Sequence, residues 1–135
     1  ERARLGPFGA LLGTDVDANA ARAARANLSA AGVERARVEV ADALAFEPGR
    51  VDVILSNPPM GRRVQRGTHG ERLARFVERA ARVLTPGGAL VWIVPEPRRV
   101  RRAAEAAGLR VARSLTIDMG GFTAELQDLR KPGRR

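Results

Sequence analysis

Between Pro86-Gly87-Gly88 and Pro95 the chain runs Ala89-Leu90-Val91-Trp92-Ile93-Val94 without one polar side chain. Such a run, short and bounded by helix breakers, reads as a strand covered on both faces, which is the interior of a largely parallel sheet. The remaining pattern agrees with that frame. Ala10–Thr14 is a short buried-type strand, and Asp15-Val16-Asp17 leads into an alanine-rich helix from about Ala18 to Ala31, closed by Gly32. Arg37–Val40 alternates as a second strand, a loop follows through Glu47-Pro48-Gly49-Arg50, and Val51–Ser56 is the third. A helix from about Gly70 to Leu84 is expected to end at Pro86-Gly87-Gly88, and another from Pro97 to Ala107 to stop at Gly108. Leu109–Ile117 and Ala124–Arg130 then pair around Gly120-Gly121. The expectation is an α/β, doubly wound, mostly parallel Rossmann-like sheet with a C-terminal antiparallel hairpin, and Trp92 in its core.

Composition narrows the partners. The chain has 135 residues, 44% of them apolar, which suits one domain with a real core. Residues 1–130 carry that domain and residues 131–135 form a basic tail. With no cysteine and a single histidine, His69, neither a disulfide framework nor a zinc site is expected, and no metal is assigned. No apolar run reaches the roughly 18 residues of a membrane helix and no charged-then-apolar leader opens the chain, so the reading is a soluble, cytoplasmic protein. The net charge is +9, and Lys131 is the one lysine among 24 basic residues. Arginine pairs with phosphate through a planar fork, so this excess suits a polyanion such as nucleic acid. An alanine- and arginine-rich coding bias gives the same composition, and charge alone leaves the partner open.

In a doubly wound sheet ligands sit beyond the carboxyl ends of the strands. Three such positions carry notable residues: Asp15, the pair Asp42-Ala43, and Asn57-Pro58-Pro59-Met60. Asn57 and Pro58 present an amide oxygen and a backbone carbonyl from a segment that two prolines hold nearly rigid. Two fixed acceptors side by side suit an exocyclic amino group. Asp15 and Asp17 read equally as helix caps, with Asp17 nearer the helix start, and Asp42 reads equally as a turn former.

At Asn57-Pro58-Pro59 the sequence resembles the Asn-Pro-Pro-aromatic class of S-adenosylmethionine (SAM)-dependent N-methyltransferases, and the order of elements is similar over nearly the whole chain. The resemblance implies a class I methyltransferase fold with Asp15 on the ribose hydroxyls of SAM, Asp42 on its adenine amino group and the Ala43 N–H on the ring. It also implies that the Asn57 amide oxygen and the Pro58 carbonyl orient the target amino nitrogen, so that rate comes from positioning. Met60 departs from the family, which carries an aromatic residue there to stack on the target base; a thioether still covers a ring. Arg62 and Arg63 follow the turn as candidate substrate contacts. Arg72, Arg75, Arg79 and Arg82 recur on one helix face, opposite Leu73, Phe76, Val77, Ala80 and Leu84. The Asn-Pro-Pro-x-Gly-x-Arg string is most similar to THUMP-associated transfer-RNA guanine-N2 methyltransferases. Nothing matches the family's glycine-rich turn, and Gly6-Pro7-Phe8-Gly9 directly precedes the Asp15 strand. The expectation is therefore a fragment lacking the first strand, whose place lies between the strands ending at Thr14 and Ser56. The implied function is methylation of an exocyclic amino group of RNA, guanine N2 in tRNA. The alternatives are a protein glutamine or DNA adenine methyltransferase, or an inactive nucleic-acid-binding module. His69 receives no role, and Phe122 either walls the target pocket or packs.

Overall fold

The computed structural model describes residues 8–59, 69–95 and 97–133. They form strands β1 (Leu11–Asp15), β2 (Ala36–Val40), β3 (Val51–Ser56), β4 (Leu84–Val94), β5 (Arg110–Asp118) and β6 (Thr123–Arg130), with helices α1 (Ala18–Ala30), α2 (His69–Val83) and α3 (Pro97–Ala106). The chain divides into two compact units, Glu1–Pro48 and Gly49–Arg135.

In the first unit β1 and β2 pair in parallel, with Leu11 opposite Ala36 and Asp15 opposite Val40. Helix α1 crosses between them. Asp17 caps it, its side chain accepting from the Asn19 N–H at 2.8 Å, which meets one of the four N–H groups a helix start leaves unpaired. Ala21 is the fully buried residue of this helix.

The second unit is a four-stranded sheet in the order β3-β4-β6-β5. β3 and β4 are parallel, while β6 runs antiparallel to both β4 and β5. The expected α/β sheet is thus present as a two-stranded and a four-stranded sheet, and the latter is mixed because the hairpin inserts β6 beside β4. Helices α2 and α3 lie on one face. Leu73, Val77, Ala80 and Ala81 of α2 and Val100 and Ala104 of α3 pack with Leu84, Leu90, Trp92, Val94 and Leu129. Trp92 is 1% exposed and its ring meets Phe76 with centroids 5.7 Å apart. Burying an aromatic of that size contributes about 5 kcal/mol of apolar transfer.

Two expectations need correction here. The β4 run is buried on the face of Leu90, Trp92 and Val94, but Val91 and Ile93 on the other face are only half-buried, and Val53 and Leu55, which share that face through the register, are 52% and 59% exposed. Secondly, Pro86-Gly87-Gly88 does not end the helix ahead of the strand. It lies inside β4, where Val51 pairs with Leu84 and Val53 with Ala89, so two steps on β3 match five on β4. Gly87 adopts φ 81°, open to glycine at little cost. A Cβ on Gly88 would lie 2.9 Å from the Thr85 carbonyl oxygen and 3.0 Å from that of Asp52. The glycines allow a bulge as well as a stop.

No helix among the described residues is long and apolar enough to cross a membrane, and no group of His, Cys, Asp and Glu among them is placed to hold a metal.

Candidate active site

The carboxyl edge of the first unit brings Asp15 and Asp42 onto neighbouring strand ends. The Asp15 carbonyl accepts from the Ala41 N–H at 3.0 Å, which ties the end of β1 to the residue before Asp42, and adjacent strands are about 4.8 Å apart. The Asp15 Oδ1 atom accepts from the Asp17 N–H at 2.8 Å. That bond fixes the carboxylate at the strand end and leaves Oδ2 without a partner among the described residues. Asp15 is exposed and Asp17 carries the cap, so the helix-cap reading falls to Asp17.

Asp42 organises the turn that follows β2. Its Oδ1 accepts from the Leu44 N–H at 2.9 Å, and its carbonyl accepts from Ala45 and Phe46 at 2.9 Å each. Three successive N–H groups are thereby consumed. The Ala43 N–H makes no hydrogen bond to a described residue, so the turn presents one unused backbone donor directly after Asp42. Acceptors for a diol and an amino group with a donor for a ring nitrogen match the polar edges of an adenosine, and on that chemistry the residues fit the adenosyl part of SAM. A cleft of about 460 Å³ opens beside this turn, lined by Leu12, Ala41, Ala45, Phe46 and Pro48 with Arg37 and Glu39. Arg37 and Glu39, neighbours on one face of β2, pair with each other at 2.8 Å. Sequence reading did not single out Phe46, although a lone aromatic in a loop just after Asp42 was the available signal.

The second unit places Asn57, Pro58 and Pro59 directly after β3, whose last residue Ser56 stands opposite Trp92. Four consecutive pairs, from Val53 with Ala89 to Ser56 with Trp92, lead up to the turn. Asn57 is exposed, Pro58 half-buried, and no cis peptide bond occurs among the described residues. The Asn57 amide has no hydrogen-bond partner among them, so its oxygen is available to an external donor. Met60, Arg62 and Arg63 lie outside the described residues. His69, read from the sequence as a loop residue, is the first residue of α2, and its Nε2 is buried without a partner among the described residues. Phe122 sits in the β5-β6 turn, 38% exposed, its carbonyl accepting from the Met119 N–H at 2.9 Å. Arg72, Arg75 and Arg82 are exposed on α2 and Arg79 is half-buried, opposite the packed face.

A partly buried polar cluster around Glu125 of β6 ties that strand to α3 and β5. Glu125 accepts from Arg101 at 2.7 Å and from Gln127 at 3.1 Å, and Arg101 also reaches the Ser114 hydroxyl at 3.0 Å. Burial pushes the Glu125 carboxyl up, but the bonds from Gln127 and Arg101 and the guanidinium charge outweigh it and hold the value below the ordinary range.

The strands and helices of the two units, taken in chain order, are those of a class I methyltransferase-like α/β fold. Residues 2–125 match the UPF0020 family model, an RMKL-like methyltransferase domain, and the chain belongs to that family. The resemblance read from the sequence is borne out at that level. A tRNA (guanine(6)-N2)-methyltransferase of Archaeoglobus fulgidus is 36% identical over 95 residues, covering 64% of this chain and 24% of the relative. Ribosomal RNA small subunit methyltransferase C of Alcanivorax borkumensis is 38% identical over 82 residues, covering 61% and 24%. The crystal structure of TrmN from Thermus thermophilus superposes with a TM-score of 0.80 at 27% identity, over 96% of this chain and 38% of that one. The chain thus spans about a quarter of the length of the curated relatives it matches.

Proposed function

We propose that the protein is a SAM-dependent N-methyltransferase acting on an exocyclic amino group of RNA, with guanine N2 in tRNA as the target. The observation that carries the reading is the Asn57-Pro58-Pro59 turn, exposed at the carboxyl end of a regular strand with its amide unengaged by the described residues. Its support comes from the tRNA guanine-N2 relative.

Asp15 holds the ribose hydroxyls, Asp42 the adenine amino group and the Ala43 N–H the ring. When bound, SAM supplies a methyl group on an electrophilic sulfonium. The chain's own task is to orient the acceptor. An amino nitrogen on guanine is a weak nucleophile because its lone pair is delocalised into the ring. With one N–H held by the Asn57 oxygen and the other by the Pro58 carbonyl, the nitrogen would be held in a defined direction for the methyl that SAM supplies, and orientation of this kind is worth several kcal/mol of barrier. Met60 covers the base, and Arg62 and Arg63 hold the adjoining phosphates.

The test is transfer of a labelled methyl from SAM to purified tRNA, ribosomal RNA, duplex DNA and total protein, followed by nucleoside analysis. N2-methylguanosine in tRNA is the expected product. Label appearing only in protein or as N6-methyladenine in DNA overturns the RNA reading, and label confined to ribosomal RNA moves the target toward that of the second relative.

A further inference from the structure

At the end of the second unit's sheet away from Asn57, Arg110, Arg113, Asp128, Arg130 and Lys131 line a cleft of about 460 Å³ together with Gly87 and Gly133. From Gly87 to Trp92, the partner of Ser56, β4 runs roughly 17 Å at about 3.3 Å per residue. Leu129 faces the helices, so Asp128 and Arg130 face the opposite side of the sheet.

Three features set this cleft apart from a solvated charged surface. Arg110 stands directly opposite Arg130 in the antiparallel pair, and like charges so placed destabilise a sheet. The nearby carboxylate does not relieve them both: Asp128 spends its two oxygens on Arg130, at 2.7 and 2.9 Å. Arg110 and Arg113 are exposed and have no partner among the described residues. Finally, Arg113 reaches this face through an irregularity of register. Val111 pairs with Leu129 and Arg113 with Asp128, one residue being skipped. In an unbroken ladder Ala112 would stand opposite Asp128, and Arg113 would fall opposite Gln127, which is fully buried on the other face. Bulges re-aim side chains in this manner. Lys131 also lines the cleft, but its Nζ is engaged by the carbonyls of Ala81 at 2.6 Å and Leu84 at 2.9 Å, which leaves Arg110 and Arg113 as the unpaired cations among the described residues of the cleft.

We propose that this cleft is a second nucleic-acid contact, taking phosphodiester groups of the RNA whose base is presented to Asn57; the inference rests on the RNA methyltransferase reading. Guanidinium forks match phosphate oxygens, and the two lining glycines leave room for a sugar-phosphate chain. The distance to the acceptor turn corresponds to on the order of five nucleotide steps at roughly 3.4 Å each. The cleft therefore holds backbone remote from the modified base and measures the length of the RNA.

The experiment compares the wild-type protein, Arg110→Gln/Arg113→Gln, and a control, Arg98→Gln/Arg102→Gln, which removes the same charge from α3 on the helix face. Affinities for unfractionated tRNA, a 20-base-pair RNA duplex and a poly-glutamate peptide are measured across a salt series. The cleft variant is expected to lose about tenfold in RNA affinity and to flatten the slope of log affinity against log salt by about 1.5, two contacts at roughly 0.7–0.9 each. It melts no lower than wild type at low salt, because a repulsion has been removed. A slope equal to that of wild type or of the control overturns the proposal, as does poly-glutamate binding as tight as RNA. If the protein methylates only protein yet the slope still depends on Arg110 and Arg113, the cleft stands and the proposed substrate falls; RNA methylation with an unaltered slope removes the cleft alone.

Discussion

Gly88→Ala tests how the bulge at the start of β4 holds the strand that carries Asn57. A methyl group there would lie 2.9 Å from the Thr85 carbonyl oxygen, 3.0 Å from the Asp52 carbonyl oxygen and 3.2 Å from a Leu84 methyl. Two of these neighbours are backbone, and Asp52 belongs to β3, so relief requires β3 to move away from β4. The movement also stretches the bond from the Thr85 hydroxyl to Asp52 Oδ1, now 2.8 Å. Overpacking of this kind costs about 1–3 kcal/mol and loss of a neutral-to-charged hydrogen bond at the surface about 1 kcal/mol. The expected sum of about 2–4 kcal/mol lowers the melting temperature on the order of 10–20 °C for a domain of this size. Gly87→Ala is the comparison. It meets nothing within 4 Å but holds φ 81°, so it costs about 1–2 kcal/mol of backbone strain and leaves β3 in place. Thermal melting ranks the two variants, and amide exchange at Val53, Ile54 and Leu55 reports on β3 alone. Gly88→Ala melting within about 2 °C of wild type, or Gly87→Ala exposing the β3 amides as much as Gly88→Ala does, would refute the reasoning.

Asn57→Ala is expected to lower methyl transfer on the order of 10²–10³, by analogy with loss of a positioned donor, while SAM affinity measured by calorimetry stays within about twofold; wild-type turnover would remove Asn57 from the acceptor site. Asp15→Ala weakens SAM binding as its main effect, whereas Asp17→Ala costs about 1 kcal/mol of stability through the lost helix cap and leaves SAM affinity alone; the reverse pattern would exchange their roles. Glu125→Gln costs about 1–2 kcal/mol near neutral pH, because a charge-assisted bond to Arg101 becomes a neutral one. The Glu125 carboxyl is held lower in the folded protein than in the unfolded chain, so its contribution is complete above the unfolded value and is lost as pH falls through the folded one. Wild type and variant therefore converge in urea midpoint in acid, and a gap independent of pH would contradict the ion pair.

The parts of the fold that the sequence announces are those set by local period. Val51–Ser56 and Ala89–Val94 read as strands and are strands, and the α2 stripe of Leu73, Val77 and Ala80 is buried as its spacing requires. Register is another matter. Pro86-Gly87-Gly88 carries the same signal for a helix stop and for a bulge, and only the pairing of Leu84 with Val51 decides between them. The alternation in Arg110-Val111-Ala112-Arg113 puts the two arginines on opposite faces, and the skipped residue puts them on one. Insertion of β6 between β4 and β5 is a long-range choice with no local mark. At the candidate site the side chains were legible because strand ends are where such a sheet collects its ligands. The free Ala43 N–H was named from the resemblance alone, since no residue type shows which amide a turn leaves unpaired.

Both register irregularities of the four-stranded sheet fall at the same end. The mismatch between β3 and β4 is absorbed between Val51 and Val53, and that between β5 and β6 between Val111 and Arg113. Beyond them Val53 through Ser56 run in unbroken register with Ala89 through Trp92, and Trp92 is fixed from beneath by Phe76. This distribution has a mechanical reason. Catalysis by orientation loses about 10²-fold when a reacting group is displaced by about 1 Å, so the role proposed for Asn57 calls for a ladder that transmits no slack. A bulge twists and bends its strand locally and is harmless at the far end, where it can aim a charge. The regular end therefore suits the chemistry and the irregular end suits binding, which is the division of labour expected if Arg110 and Arg113 hold RNA while Asn57 and Pro58 orient the base.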